Sequence, residues 1–171
     1  MLTKYKSFYD NFTKGLRCKK TAVKIISILD KALAYSFAIA YPLFLALALF
    51  GKPFQLLYAL NIVGIPALCF CAVTLLRILI KRPRPYETRG AGINPLVKKR
   101  GEGNSMPSRH VASAFVISMV ILSECLWAGI ACLVVAFALA VLRFLEGVHY
   151  PSDLLAGGAL GIAFGLISLL F

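Results

Sequence analysis

The sequence predicts an all-α membrane protein: a bundle of five transmembrane helices preceded by an N-terminal amphipathic interfacial helix. Hydrophobic residues make up 60% of the 171 positions and the mean hydropathy is +0.81, which is above the range of soluble domains. Five apolar runs each approach the roughly 20 residues that a helix needs to cross about 30 Å of hydrocarbon. Basic residues lie at the ends of these runs, as expected at a membrane surface.

The N-terminal segment, residues 1–31, is basic and amphipathic. Apolar and aromatic residues recur at helical spacing along its first half: Tyr5, Phe8, Tyr9, Phe12 and Leu16. A second apolar series follows, opposite lysines that continue to Lys31. This pattern is typical of a helix that lies in the membrane interface, and we expect it to break at Gly15. The alternative is a partly disordered basic tail.

Residues 32–171 are predicted to form the transmembrane domain. Its five apolar runs are Ala32–Phe50, Phe54–Ile80, Pro107–Glu124, Leu126–Leu142 and Pro151–Phe171. Each run is predicted to be a helix, because a backbone in lipid must satisfy its own hydrogen bonds. One long loop, residues 81–106, separates the second run from the third. A loop of this length in so small a protein is usually functional or mobile.

The charge distribution indicates anionic partners and predicts how the chain is oriented in the membrane. Lys and Arg number 19 against 7 Asp and Glu, a net charge of +12, which suits membrane lipids or an anionic substrate. A nucleic-acid partner is not expected, because the basic residues do not line a soluble face. Eight of them lie at or before Lys31 and nine lie between Arg77 and Arg109. If successive helices cross the membrane in alternating directions, Arg143 lies on the same side of the membrane as these residues. Only Lys52 lies on the opposite side. The positive-inside rule then predicts a multi-pass protein of the cell membrane with these segments in the cytoplasm.

Three charged clusters reach this same face. They are Arg77 and Arg84 after the second run, Ser108, Arg109 and His110 at the start of the third, and Arg143, His149 and Asp153 between the fourth and fifth. Basic residues near helix ends are often snorkelling anchors or contacts to lipid headgroups, and we interpret Lys81, Arg82 and the basic run 98–100 in that way. Both histidines of the chain lie in the clusters. We therefore interpret the three clusters as one site.

The clusters fit a phosphate better than a metal. Pro107 and Pro151 are predicted at the first positions of two helices, whose N-termini would aim unpaired N–H groups at a bound anion. Guanidinium groups match phosphate oxygens bidentately. Ser108 could bond either a phosphate oxygen or the backbone of its own helix. A metal held by the histidines with Asp153 and Glu146 is disfavoured, since like charges at about 4 Å repel by on the order of 4 kcal/mol. The five cysteines have no metal-ligand spacing, so no metal and no cofactor is expected.

Two imidazoles beside a bound phosphate suggest covalent catalysis. A neutral imidazole can attack phosphorus while a protonated one donates to the departing oxygen. His149 is better placed as the nucleophile, because Asp153, four residues later, can hold its ring and stabilise its developing charge. Asp153 would also complement the dipole of the helix that it opens, and the two roles are compatible.

These residues resemble the type 2 phosphatidic acid phosphatases, the PAP2 family, whose site is shared with vanadium-dependent haloperoxidases. The family pattern is a lysine, six residues and Arg-Pro; then Pro-Ser-Gly-His; then Ser-Arg, five residues, a histidine, three residues and an aspartate. All three segments are present in order and with the same spacing between residues 77 and 153. Three positions depart from the pattern: Arg77 stands for the lysine, Arg109 for the glycine and Leu142 for the serine. Family members commonly have six helices, and the first would here be reduced to the amphipathic segment.

The resemblance implies a metal-independent phosphatase of a lipid phosphate or diphosphate. His149 would be the nucleophile, Asp153 its orienting partner and His110 the general acid. The phosphate ligands would be Arg77, Arg84, Ser108 and Arg143, with Arg109 crowding the pocket or reaching a headgroup. An undecaprenyl diphosphate phosphatase or a lipid phosphotransferase would use the same residues. The alternative outside enzymology is a protein that binds or transports anionic lipids.

Overall fold

The computed structural model describes residues 2–50, 53, 55–88, 92–97 and 103–170. Every regular element within these ranges is helical, which agrees with the predicted class. The elements are α1 (Leu2–Arg17), α2 (Lys20–Leu49), α3 (Leu56–Ala59), a π-helical turn (Leu60–Gly64), α4 (Ile65–Ile80), α5 (Arg109–Glu124), α6 (Leu126–Glu146) and α7 (Pro151–Ser168). Residue 52 and the basic run 98–100, both used in the charge argument, lie outside the described residues.

The N-terminal segment differs from the prediction at its break. The helix continues through Gly15 and ends at Arg17, and α2 begins at Lys20. The backbone N–H of Lys19 bonds the Leu16 carbonyl at 3.1 Å, which closes the turn between the two helices. Glycine is tolerated inside a helix at a cost of about 1 kcal/mol, so Gly15 alone does not end one. From Lys20 the chain runs as one helix across the expected boundary at residue 31.

Helix α1 packs against the C-terminal end of α6. Tyr9 is fully buried, and its hydroxyl donates to the Leu145 carbonyl at 2.9 Å. The backbone N–H of Leu96 in turn donates to the Tyr9 hydroxyl at 3.4 Å. The ring of Phe144 contacts Tyr9 edge-on, with 6.0 Å between ring centroids. Helix α1 therefore braces the loop around Leu96 against the end of α6.

Helix α5 is the centre of the bundle. Nine of its sixteen residues are buried, and it packs against α2, α4, α6 and α7. It begins at Arg109, with Ser108 as N-cap, so the prediction of Pro107 at the first helical position is wrong. Pro151 does occupy that position in α7. Gly157 and Gly161 of α7 lie so close to the start of α5 that an added methyl group would overlap the carbonyl oxygens of Ser108 and Ala112 respectively. The small residues thus set the distance between these two helices.

Among the described residues, four helical units are long and apolar enough to cross a membrane: α2, the unit Leu56–Ile80, α6 and α7. The remaining predicted span, Pro107–Glu124, corresponds to α5. Its 16 residues extend about 24 Å at roughly 1.5 Å per residue. The chain is therefore a multi-pass membrane protein, helical throughout its described elements, in which the central helix α5 is shorter than each of these four units.

Candidate active site

Six of the eight predicted site residues line one cavity of about 370 Å³. They are Arg77, Arg84, Arg109, His110, Arg143 and His149. The cavity lies at one end of the bundle, where α4 ends, α5 begins and α6 passes into α7. Two further ionisable residues of α2, Asp30 and Lys31, also line it. The lining therefore carries five cationic side chains and one carboxylate, a balance that favours an anion.

Asp153 lies behind His149 and does not line the cavity. Its carboxylate is fully buried, and Oδ2 accepts a 2.9 Å hydrogen bond from the backbone N–H of Tyr150. The same oxygen lies 3.6 Å from Nδ1 of His149. Asp153 therefore both caps α7 and faces Nδ1 of the imidazole, so that Nε2 is the ring nitrogen that the carboxylate does not approach.

The environment of His149 favours a neutral imidazole. The side chain is 6% exposed, and this burial lowers the pKa of His149 below its ordinary value of 6.5. Asp153 opposes the shift, while the positive charges of Arg143 and Arg84 lower the pKa further. A neutral ring retains the lone pair that a nucleophile needs.

Two buried donors at the site lack hydrogen-bond partners among the described residues. The hydroxyl of Ser108 is fully buried and bonds neither the backbone of α5 nor any other described group. The Nε atom of Arg84 is also buried and has no hydrogen-bond partner among the described residues. Nη1 of the same side chain donates to the Tyr86 hydroxyl at 2.9 Å. Buried polar groups nearly always have a partner, so these two donors are available to an acceptor from outside the chain, either water or a bound anion.

Arg77 has a structural task besides lining the cavity. Its Nη1 donates to the Pro107 carbonyl at 2.8 Å and to the Ser105 carbonyl at 3.3 Å, and its Nη2 donates to the Asn104 carbonyl. These bonds hold the segment that leads into α5 against the end of α4. A lysine ammonium lacks the planar fork that makes such an arrangement favourable.

Two residues that the sequence reasoning passed over take part in the site. Asp30 of α2 is 1% exposed and pairs with Arg143, with 2.6 Å between Oδ1 and Nε. Arg82, interpreted above as an anchor or headgroup contact, instead donates from Nη1 to Asp153 Oδ1 at 2.8 Å. A signal for Asp30 was available: it is the only acidic residue between Asp10 and Glu87, in a helix that enters the membrane.

An apolar groove of about 470 Å³ adjoins the polar cavity. Aliphatic and aromatic side chains of α2, α4, α5 and α6 line it, including Phe37, Phe70 and Leu139. Arg109 and His110 line both spaces, and both side chains are exposed. A molecule with an anionic head and an apolar tail would fit across this junction.

Comparison with protein families gives a match to the PAP2 superfamily over residues 55–171, more than half of the chain. The chain is 38% identical over 79 residues to the bacitracin transport permease protein BcrC of Bacillus licheniformis, covering 46% of this chain and 38% of that protein. It is 33% identical over 97 residues to the lipid A 4'-phosphatase of Bacteroides thetaiotaomicron, covering 52% and 41%. These matches span about two fifths of the length of each relative.

Two solved structures share the fold. LpxE of Aquifex aeolicus superposes with a TM-score of 0.68 at 26% identity, covering 86% of this chain and 87% of that chain. A transmembrane PAP2 type phosphatidylglycerolphosphate phosphatase from Bacillus subtilis gives the same TM-score at 20% identity, covering 96% and 84%. The helical bundle described above is therefore similar to those of solved membrane proteins.

Proposed function

The chain belongs to the PAP2 superfamily, and from that premise we propose that it is an integral membrane phosphatase acting on a lipid phosphate or diphosphate. One observation carries the proposal: two histidines and four arginines from three distant segments line a single cavity. The similarity to a lipid A 4'-phosphatase supports a lipid-linked phosphate as the substrate. The adjoining apolar groove offers a place for an acyl or prenyl chain.

The proposed reaction proceeds through a phosphohistidine. Nε2 of His149 attacks phosphorus and the bond to the lipid oxygen breaks, while His110 gives that oxygen its proton. His110, now neutral, then takes a proton from water, which attacks the phosphohistidine and releases phosphate and His149. Asp153 balances the positive charge on the imidazole in the first step. Two of its contacts support this role: the 3.6 Å approach to Nδ1 and the hydrogen bond that fixes Oδ2.

The phosphate ligands follow from the donors around the cavity. We assign Arg84, Ser108 and Arg143 to the phosphate oxygens, and the unpartnered Nε of Arg84 and hydroxyl of Ser108 support the first two. Arg77 would add positive charge to the phosphate site, and its bond to the Pro107 carbonyl would hold the segment before α5 in place. Arg109, at the junction of cavity and groove, would contact the headgroup.

The proposed reaction uses neither a metal nor a cofactor. The residues that the structure describes contain no group of three or more His, Cys, Asp or Glu arranged for a metal ion. The physical support is the lining itself, since its five cations would repel a divalent cation and already supply the positive charge that metal catalysis would add.

We further propose five transmembrane spans with the cavity at the cytoplasmic face. In this arrangement α5 completes the bundle as the fifth span. Residues 1–31 would lie at the interface, where Asp30 and Lys31 reach the cavity, and residues 32–171 would form the phosphatase domain. Phe8 and Phe12 of α1 are exposed, which supports contact with lipid near the headgroups. The basic residues clustered on one side of the spans support the cytoplasmic assignment.

Phosphate release from lipids tests the proposal. Purified protein in detergent would be given phosphatidate, phosphatidylglycerophosphate, undecaprenyl diphosphate and lipid A, with and without EDTA. We expect release from at least one lipid, undiminished by EDTA, and none from His149→Ala. Lys14→Gln, a change on the exposed side of α1, serves as the matched control.

The alternatives predict different results. A protein that only binds or transports anionic lipids would release no phosphate even as the wild type, and it would retain lipid binding in His149→Ala; the name of one relative, bacitracin transport permease protein, favours transport. A lipid phosphotransferase would form the phosphohistidine but pass phosphate to a lipid acceptor in place of water. Failure of the wild-type protein to release phosphate from any of these lipids would contradict the hydrolase.

A further inference from the structure

Arg82 and His149 approach the two oxygens of the same carboxylate. Nη1 of Arg82 lies 2.8 Å from Oδ1 of Asp153, while Nδ1 of His149 lies 3.6 Å from Oδ2. Asp153 is fully buried, whereas the side chain of Arg82 is 32% exposed and does not line the cavity. The guanidinium therefore reaches the carboxylate from outside the space in which a phosphate would bind.

Arg82 is itself held on several sides. Its backbone carbonyl accepts a 2.7 Å hydrogen bond from the N–H of Ser105, which fixes the chain just after α4. The guanidinium lies over the ring of Tyr150, 4.1 Å from the centroid, and Nη1 also donates to the Ser152 hydroxyl at 2.7 Å. Stacking on Tyr150 and donation from Nη1 to two neighbouring acceptors restrict where the charge of the guanidinium can move.

We propose that Arg82 is a positioning residue for the phosphatase reaction, acting through Asp153 on His149. The inference rests on the proposed function above. With Oδ1 held by Arg82 and Oδ2 bonded to the Tyr150 N–H, the carboxylate cannot rotate, and Oδ2 stays opposite the imidazole. Without Arg82 a buried carboxylate would lose its cationic partner and turn toward whatever donor remains. The nucleophile would then lose its alignment with phosphorus.

The test compares steady-state kinetics of wild type, Arg82→Gln and Arg82→Lys on a lipid phosphate that the wild-type protein hydrolyses. Arg82→Gln is expected to lower kcat by up to about 100-fold, because a displacement of about 1 Å at the reacting groups can cost that much, with KM unchanged. Arg82→Lys keeps the charge and should recover part of the lost kcat. Lys81→Gln removes the neighbouring exposed charge without touching Asp153 and is the matched control.

Each other outcome overturns the inference. A raised KM with normal kcat would place Arg82 in substrate binding, and an equal loss in Lys81→Gln would indicate general surface charge. A lowered melting temperature with no recovery by lysine would indicate a role in folding alone. An inactive wild-type protein would contradict the proposed function and remove the premise, whereas an active wild type with unchanged Arg82→Gln contradicts only the role of Arg82.

Discussion

Asp30 and Arg143 form a buried ion pair, with 2.6 Å between Oδ1 and Nε, that joins α2 to the end of α6 beside the cavity. The pair holds the guanidinium in the layer where a phosphate would bind. It also places a carboxylate in the lining of an otherwise cationic cavity. Asp30 therefore orients Arg143 and supplies counter-charge while no anion is bound.

Replacing Asp30 by Asn should destabilise the protein in a way that an anion reverses. Removing one partner of a buried pair typically costs about 3–5 kcal/mol, because the other charge stays buried without compensation. Inorganic phosphate at the cavity would restore a counter-charge to Arg143. We expect a lower melting temperature in detergent and a larger rise on adding phosphate than in the wild type.

Asp10→Asn provides the control for this measurement. Asp10 pairs with Arg17 at 3.1 Å, but the side chains are 41% and 26% exposed. Exposed pairs contribute about 0–1 kcal/mol, so this variant should melt almost as the wild type does. Equal melting of the two variants, or an equal response to phosphate, would contradict the role assigned to Asp30.

The titration of His149 gives a second prediction. Its pKa is lowered chiefly by burial, so the imidazole should remain neutral to a lower pH than the ordinary 6.5. The nucleophile is lost only when the ring takes up a proton, and the acid limb of kcat/KM should therefore lie below pH 6.5. Nuclear magnetic resonance of labelled imidazoles would measure the midpoint directly.

The chain makes the assignment simple, because it has only two histidines and His110→Asn leaves the signal of His149 alone. Asp153→Asn removes a charge that raises the pKa of His149, so it should shift the midpoint further down. A wild-type midpoint at or above 6.5, or an upward shift in Asp153→Asn, would contradict the environment described here.

A third prediction concerns the arginine that stands where the family pattern has a lysine. Arg77→Lys keeps the positive charge at the cavity but loses the fork that bonds the carbonyls of Ser105 and Pro107. Each lost hydrogen bond is worth about 0.5–1.5 kcal/mol, so stability should fall by one to a few such increments. Phosphate release should fall too, because the start of α5 is less firmly held. A lysine variant with unchanged melting and turnover would show that charge alone is needed.

The sequence predicted the all-helical membrane class and six of the residues that meet at the cavity, because fixed motif spacing places side chains on known faces of helix ends. His110 and His149 lie 39 positions apart, and only their surrounding patterns connected them. The ion pair of Asp30 with Arg143 crosses 113 positions without any motif, so helix periodicity could not reveal it. Arg82 was misinterpreted because a basic residue at a helix end looks the same in sequence whether it meets lipid or a carboxylate. The break predicted at Gly15 was wrong because one glycine is too weak a signal.

The packing of α7 on α5 gives a final prediction with a neighbouring control. A Cβ added at Gly157 would lie 2.7 Å from the carbonyl oxygen of Ser108, the residue that caps α5. Gly157→Ala must therefore push the start of α5 away, and overpacking of this kind costs about 1–3 kcal/mol. The same change at Gly158 meets nothing closer than 3.6 Å, at the ring of Phe115.

The two variants introduce the same methyl group at adjacent positions of one helix. We expect Gly157→Ala to lower both the melting temperature and phosphate release, since the Ser108 hydroxyl and the start of α5 move together. Gly158→Ala should keep wild-type activity and gain up to about 1 kcal/mol from the better helix propensity of alanine. The two variants are matched in the helix propensity and polarity of the new residue and in the burial of the position. Any difference between them therefore reports the contact with Ser108. Equal behaviour of the two proteins would mean that the distance between α5 and α7 does not control the site.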